Sequence, residues 1–455
     1  MKLYNTLTKN TDEFIPENPE NVKIYTCGPT VYSYQHIGNF AAYIYWDTLI
    51  RTLRANGFHE NRILNITDVG HLTSDADDGE DKMIKGAKRE GKTVWQIAEY
   101  YTDDFFVNFR KLNLIEPTKI TKATDYIEAD INLINELTKK GYTYETSDGI
   151  YYDTSKFPQY ADFAHLDLDH LKTGARVQFN SEKRNPSDFA LWKFIKPSED
   201  HPMQWDYLNR PGYPGWHLEC SSIIHAELGE SIDIHTGGID HIPVHHTNEI
   251  AQSEAAFERP LSKFWLHNNF ITIDGNKISK SLGNIYTFKD LEQKGFSHLD
   301  FRMWILQGHY QSERNFTFDD LTAAKNRLMN YRNFAALRHQ NQPINQSLLD
   351  TTVAKITTSI SDNLNTPEAL AALDQILNQT APNHNFLEFL DNIFGLQLIE
   401  STPDISSKQK QNLADQQAAR DAKDWDKADA IRDQINASGI EVLSTPTGPI
   451  WQYKS

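Results

Sequence analysis

Cysteine is nearly absent. The 455 residues hold two, Cys27 and Cys220, far apart in the chain. That excludes a disulfide-stapled secreted scaffold, and the two thiols read as free. Long apolar runs are missing too. The start, MKLYNTLTKN, has neither a hydrophobic core segment nor a cleavage pattern, and no stretch reaches transmembrane length. A cytoplasmic protein with no membrane partner is expected. Positive charge is short as well: 45 Lys and Arg against 62 Asp and Glu leave a net charge of −17. Such a chain is not built for nonspecific nucleic-acid binding, although a local basic face can still hold RNA.

What is present is globular material, 39% hydrophobic and 24% charged. The length calls for two to four domains. Residues 22–26 (VKIYT) read as a short buried strand, followed by the loop CGPTVYSYQ. A helix is expected from about His36 to Ala55, with Tyr43, Trp46, Ile50 and Leu53 at helical spacing and Asn56-Gly57 as its stop. Residues 62–67 (RILNIT) read as the next strand. Strand, helix, strand is a βαβ unit, so the fold class is α/β with a Rossmann-like parallel sheet. SDADDGED (74–81) lacks calcium-loop spacing and reads as solvated surface.

An amphipathic helix is expected over 125–140, then a hairpin around Ser147-Asp148-Gly149. The β-rich stretch up to about 210 reads as an insertion between two halves of a nucleotide-binding sheet. The second half begins near Gly215, with helix WHLECSSIIHAEL, strand SIDIH, helix HHTNEIAQSEAAF and strand NFITID. From about 320 the chain turns helical and polar. One helix is expected over 408–436, with Ala418, Ala422, Trp425, Ala428, Ile431 and Ile435 as its apolar stripe. A hairpin in IEVLSTPTGPIWQY follows, making a small C-terminal α+β tail. There are no internal repeats.

Two elements point to phosphate. His36-Ile37-Gly38-Asn39 opens a helix after a strand and loop, where free amides and a partial positive charge suit an anion. Gly38 permits close approach, and His36 can donate to a phosphoryl oxygen. Lys277-Ile278-Ser279-Lys280-Ser281 lies in a loop between Gly275 and Gly283, where two lysines and two hydroxyls can gather round a triphosphate. In this order they resemble the HIGH and KMSKS motifs of class I aminoacyl-tRNA synthetases. Asn39 replaces the usual second His and can donate but carries no proton; Ile278 replaces Met, a mild apolar change.

His245 and Glu249, four apart on an expected helix, share a face. With Cys27 and Cys220 they offer two thiolates, an imidazole and a carboxylate, the donor types of a four-coordinate zinc site. His246 competes for the imidazole place, since it too lies within a turn of Glu249. Spacing alone does not bring Cys27 to Cys220.

CGPTVY, the HIGN helix, GWHLEC, HHTNEIAQS and KISKS follow one another as in cysteinyl-tRNA synthetases, and NTPEAL and ARDAKDWDKADAIRDQI match that family's anticodon-side region. The chain resembles the family over nearly its whole length. The resemblance implies zinc, one per subunit, on Cys27, Cys220, His245 and Glu249. His235 and His241 are expected to line the pocket or structure the loop. It implies cysteine bound as thiolate, a soft ligand that separates it from serine. Trp216 is expected to wall the amino-acid pocket, with Thr67 as a second pocket residue. His36, Asn39, Lys277 and Lys280 are the implied catalytic groups. ATP is expected on His36, Gly38, Asn39, Asp240, Lys277, Ser279 and Lys280, with Mg2+ on its phosphates.

The implied reaction is activation of L-cysteine with ATP and transfer to the terminal adenosine of tRNA(Cys), by a monomer. The implied divisions are 1–125 and 213–270 for the two halves of the catalytic domain and 126–212 for the insertion. Residues 271–320 would form the KISKS and stem-contact region, 321–400 a helical anticodon-binding domain and 401–455 a small C-terminal domain. Arg314, Lys325, Arg327 and Arg332 are candidate tRNA-backbone contacts. Two rivals remain: a ligase joining cysteine to an amino sugar, which lacks the anticodon-side extension seen here, and a non-catalytic RNA-binding paralogue, for which Asn39 is the sole support.

Overall fold

A computed structural model describes residues 1–70, 81–166, 182–196, 201–279, 282–445 and 448–454. Residues 74–80 of the acidic loop, and Lys280 and Ser281, lie outside the described residues. Among the described residues, no helix is long and apolar enough to cross a membrane.

The centre is a five-stranded parallel sheet. Its spatial order is Ser262–Asn268, Ile232–Gly238, Val22–Thr26, Glu60–Ile66 and Lys119–Lys122. Its strands read as apolar runs because both faces are covered. Ile24 lies opposite Ile234 on one side and Arg62 on the other. The chain builds outward one way from Val22–Thr26 and then returns to build the other way. The order therefore reverses between this strand and Ile232–Gly238, and a crevice at the carboxyl ends of those two strands is where such sheets bind ligands. The Ile37–Ala55 helix follows the first of them and is buried on nearly every side, through Ile37, Phe40, Ile44, Trp46, Leu49 and Leu53.

The insertion is a separate five-stranded antiparallel sheet, ordered Thr143–Thr146, Gly149–Tyr152, Phe189–Phe194, Arg210–Pro214 and Trp205–Tyr207. Its hairpin turns at Ser147-Asp148, as the Ser-Asp-Gly signal requires. It packs on the Thr247–Phe257 helix: the Tyr152 hydroxyl donates to Ala251 O at 2.9 Å and the Tyr160 hydroxyl to Asn248 Oδ1 at 2.6 Å.

Three expectations change. Ser262–Asn268 (SKFWLHN) is an edge strand of the parallel sheet that the reading of NFITID passed over; Ile271–Ile273 belongs instead to a small sheet with Asn276–Lys277 and Arg314–Phe316. The single helix over 408–436 is two, Ser407–Asp421 and Trp425–Ala437. Lys423 turns to φ +58°, and Asp424 caps the second helix by accepting from Lys427 N. Trp425 thus stands at the second helix's first position, 59% exposed, outside any apolar stripe. His245 and His246 lie in a π-helical turn, Ile242–His246, that feeds the Thr247–Phe257 helix carrying Glu249. Such turns gather at functional sites.

One apolar core is continuous from the Ile37–Ala55 helix into the C-terminal helices, taking in Trp46, Leu49, Trp304, Ile356, Leu390 and Phe394. A buried ionic knot crosses the same boundary. Asp47 meets Arg51 at 2.6 Å and also pairs with Arg302. Arg51 Nη1 donates to the Asp391 and Asn392 carbonyls at 3.0 and 3.1 Å, and Arg302 Nε to the Phe394 carbonyl at 2.7 Å. These carbonyls close the His384–Phe394 helix. Two guanidiniums face one carboxylate, and the helix C-terminus, with the Leu112 and Asn113 carbonyls, supplies further negative potential.

Candidate metal and nucleotide site

Cys27 leaves the central strand into the CGPTVY loop, and Cys220 sits in the Trp216–Leu228 helix. The ligand atoms of Cys27, Cys220, His245 and Glu249 lie within 4.8 Å of one another. A second set, Cys27, His235, His246 and Glu249, meets the same limit and shares two members with the first. His235 Nε2 is 2.7 Å from Glu249 Oε2, and His246 Nε2 is 3.5 Å from Cys27 Sγ. His235 and His246 therefore belong to the cluster itself, not to its surroundings.

The cluster fits a cation. Glu249 Oε1 approaches His245 Nε2 to 2.9 Å, yet this fully buried oxygen has no hydrogen-bond partner among the described residues. A buried carboxylate oxygen left without a hydrogen bond beside thiol and imidazole donors offers a place to a cation, since an unsatisfied buried acceptor costs free energy. Burial alone would raise the Glu249 carboxyl; His235 and His245 hold it well below its usual range. Burial opposes charge on His245, but Glu249 and Cys220 push it up to about 10. A hydrogen bond from Cys27 draws the Cys220 thiol down to about 6, while burial pushes Cys27 up. In the protein alone an imidazolium balances these anions. The first set brings two thiolates, the soft donors zinc prefers; the second brings one.

Sequence reasoning gave no role to His217 or His267. His217 Nδ1 is 3.0 Å from His245 Nδ1, and His267 Nε2 is 2.8 Å from His246 Nδ1. His245 and His246 are thus each held from behind, as metal-binding histidines are. Neither carried a signal of its own: His217 lies in GWHLEC, beside the residues already singled out, and His267 in the SKFWLHN strand.

Trp216 opens the Cys220 helix, with its ring centroid 4.6 Å from that of His245 and 5.2 Å from Lys82 Nζ. Thr67 is buried, and its hydroxyl accepts from Asn65 Nδ2 at 3.1 Å. Its backbone pairs with the CGPTVY loop at Pro29 and Val31. In that loop Gly28 is obligatory: a Cβ there would stand 1.5 Å from the Asn65 carbonyl. Asp240 lies exposed just beyond the Ile232–Gly238 strand.

The phosphate motif is more committed than its sequence implies. His36 is the N-cap; its Nδ1 accepts from Asn39 N at 3.3 Å, and Asn39 Oδ1 accepts from His36 N at 3.1 Å. Asn39 is therefore half of a capping box. An acceptor Nδ1 leaves the proton of the neutral ring on Nε2, free to donate. Burial lowers His36 to about 4, so the ring acts as a neutral donor. The Ile37 amide is taken by the Tyr286 carbonyl at 2.9 Å. Of the three leading amides, Gly38's has no acceptor among the described residues. Lys277 is exposed, and Ile278 Cδ1 lies 2.7 Å from where a Cβ on Gly38 would stand. The two phosphate elements thus touch. Of the four candidate tRNA contacts, Arg314 donates to Ile305 O at 3.1 Å, Lys325 to Gly295 O at 3.0 Å, and Arg327 pairs with Asp374 at 2.5 Å. Arg332 is largely buried, with Nε unpaired among the described residues.

A parallel sheet reversing at its ligand crevice, with a capped phosphate helix and a lysine loop laid against it, defines a class I tRNA synthetase catalytic architecture. Residues 13–326 match the family of tRNA synthetases class I (C) catalytic domain. The same fold is found in methionyl-tRNA synthetase from Mycobacterium tuberculosis in complex with methionyl-adenylate, at TM-score 0.59 and 14% identity, covering 86% of this chain and 87% of that one. It is found again in the LeuRS-tRNA-LeuAMS ternary complex from Agrobacterium radiobacter K84, at TM-score 0.63 and 11% identity, covering 87% of each chain. Cysteine–tRNA ligase of Treponema denticola is 40% identical over 97% of both chains. Cysteine–tRNA ligase 1 of Burkholderia lata is 40% identical over 98% of this chain and 96% of its own. The chain belongs to the cysteine–tRNA ligase family, whose members join cysteine to tRNA.

Proposed function

We propose that the chain binds one zinc ion through Cys27, Cys220, His245 and Glu249, and that the substrate thiol is recognised there as thiolate. The zinc would supply a soft Lewis acid that distinguishes sulfur from the oxygen of serine. Trp216 closes the pocket beside His245, and Thr67 fixes the loop that carries Cys27. The cysteine carboxylate then attacks the α-phosphorus of ATP, and pyrophosphate leaves. His36 Nε2–H and the Gly38 amide donate to the transferring phosphoryl group, and Asn39 holds His36 in place as its capping partner. Lys277, Ser279 and Lys280 gather the outer phosphates with Mg2+. Asp240 takes the ATP ribose. The 2′-hydroxyl of the terminal adenosine of tRNA(Cys) attacks the adenylate in the second step. Residues 321–400 and 401–455 serve the anticodon side, and the chain works as a monomer.

The observation that supports this reading is the donor cluster beside the switch point of the sheet, where Glu249 Oε1 faces His245 without a hydrogen bond of its own. The experiment is metal analysis joined to cysteine-dependent pyrophosphate–ATP exchange. The wild type should hold one zinc and exchange with cysteine but not serine. Cys220→Ser should lose zinc and exchange together, while His235→Ala keeps its zinc. Retention of metal by Cys220→Ser with loss in His235→Ala would move the ion to the second donor set.

A further inference from the structure

One side chain spans the base of the lysine loop. Asn284 Oδ1 accepts from the Ser279 amide at 2.9 Å, and its Nδ2 donates to the Lys277 carbonyl at 3.0 Å. A carboxamide carries a donor and an acceptor like a peptide unit, so Asn284 supplies the rung that another strand would. Gly283, at φ +64°, lets the chain turn back so that this residue faces the other arm.

The two atoms it holds flank Ile278, the residue that rests on Gly38. Two residues further on, the Tyr286 carbonyl takes the Ile37 amide. The loop is therefore fastened to the start of the phosphate helix on both arms, and Asn284 fixes the span between the fastenings. We propose that Asn284 is a positioning residue for cysteine activation: by fixing the Lys277 carbonyl and the Ser279 amide, it sets the direction in which those two residues reach the ATP phosphates. It touches no reacting atom. The inference rests on the ATP role proposed above for Lys277 and Ser279.

The test is exchange kinetics on full-length Asn284→Ala and Asn284→Asp, with zinc content and melting temperature measured alongside. Removing both hydrogen bonds should lower kcat/KM for ATP about 100-fold, the scale of an ångström-level misplacement. The KM for cysteine, the zinc content and the melting temperature should stay at wild-type values. Asn284→Asp keeps an acceptor for Ser279 but loses the donor to Lys277, and should fall between. ATP kinetics unchanged in Asn284→Ala would overturn the proposal. So would a lowered melting temperature with ATP and cysteine constants shifted alike, which marks a role in folding only. Absence of exchange in the wild type would instead remove the activity reading on which the proposal stands.

Discussion

The donor role proposed for His36 depends on its tautomer. The Asn39 amide occupies Nδ1, so the donor is Nε2–H, and burial keeps the ring neutral. His36→Leu should lower the exchange kcat by about 100-fold, and His36→Gln by less, since one donor to developing charge is worth that much. The pH profile checks the neutral form. The folded ring takes up its proton only near pH 4, the unfolded one near 6.5. The stability the neutral ring contributes is complete above pH 6.5 and is lost as pH falls toward 4. Exchange between pH 8 and 5.5 should show no acidic limb that His36→Gln removes; such a limb would mean that the charged ring is the working species. The sequence marked His36 and the zinc-type residues because their chemistry is rare and dense. It could not show that Asn39 works as a cap, since capping depends on which way two side chains turn. Nor could it separate His245 from His246, because both lie within reach of Glu249, and in three dimensions each joins a donor set with Cys27 and Glu249.

At the scale of elements, the contact between the two phosphate motifs is testable. Gly38 faces Ile278 so closely that a methyl group on Gly38 collides with its Cδ1. Gly38→Ala should push the lysine loop outward and reduce kcat/KM for ATP by about 10- to 100-fold through misplacement, with zinc retained. Ile278→Ala makes room. The double variant should recover part of that loss, and a cycle showing simple additivity would mean that the contact does not couple the two motifs. The motifs themselves were legible, because Gly, Lys and His in fixed order are unusual; their contact was not, because 240 residues of chain separate Gly38 from Ile278. The strand–helix–strand opening was equally plain from its periodicity. The Ser262–Asn268 strand was missed because SKFWLHN carries polar residues at both ends and alternates poorly. The break at 422–424 was missed because Ala and Trp keep helical spacing across it, while the signals that end a helix, Lys423 at positive φ and the Asp424 cap, are ordinary residues in sequence.

For the whole molecule, composition shifts near residue 320 draw a boundary that the interior does not respect. The core runs unbroken from Trp46 to Phe394. Arg51 and Arg302 find their acceptors at the C-terminus of the His384–Phe394 helix, and the Asn113 side chain donates to the Gly395 carbonyl at 3.0 Å. Gly395 leaves room for both guanidiniums: a Cβ there would stand 2.5 Å from Arg302 and 2.8 Å from Arg51. Deleting residues 321–455 would expose the core face of the Ile37–Ala55 helix and take the Asp391, Asn392 and Phe394 carbonyls from Arg51 and Arg302, leaving them Asp47 and the Leu112 and Asn113 carbonyls. Each large apolar side chain returned to water costs about 1.5–3 kcal/mol, so the few laid bare amount to a large part of a typical folding free energy. The isolated catalytic half should therefore lose cysteine activation and tRNA charging together and show no cooperative melt. Asp47→Asn in the full chain tests the same knot more gently and should lower the melting temperature while leaving the zinc ligands untouched. If residues 1–320 instead fold and exchange pyrophosphate at the wild-type rate, the knot only fastens a separable domain, and the helical region acts on tRNA without supporting the first step.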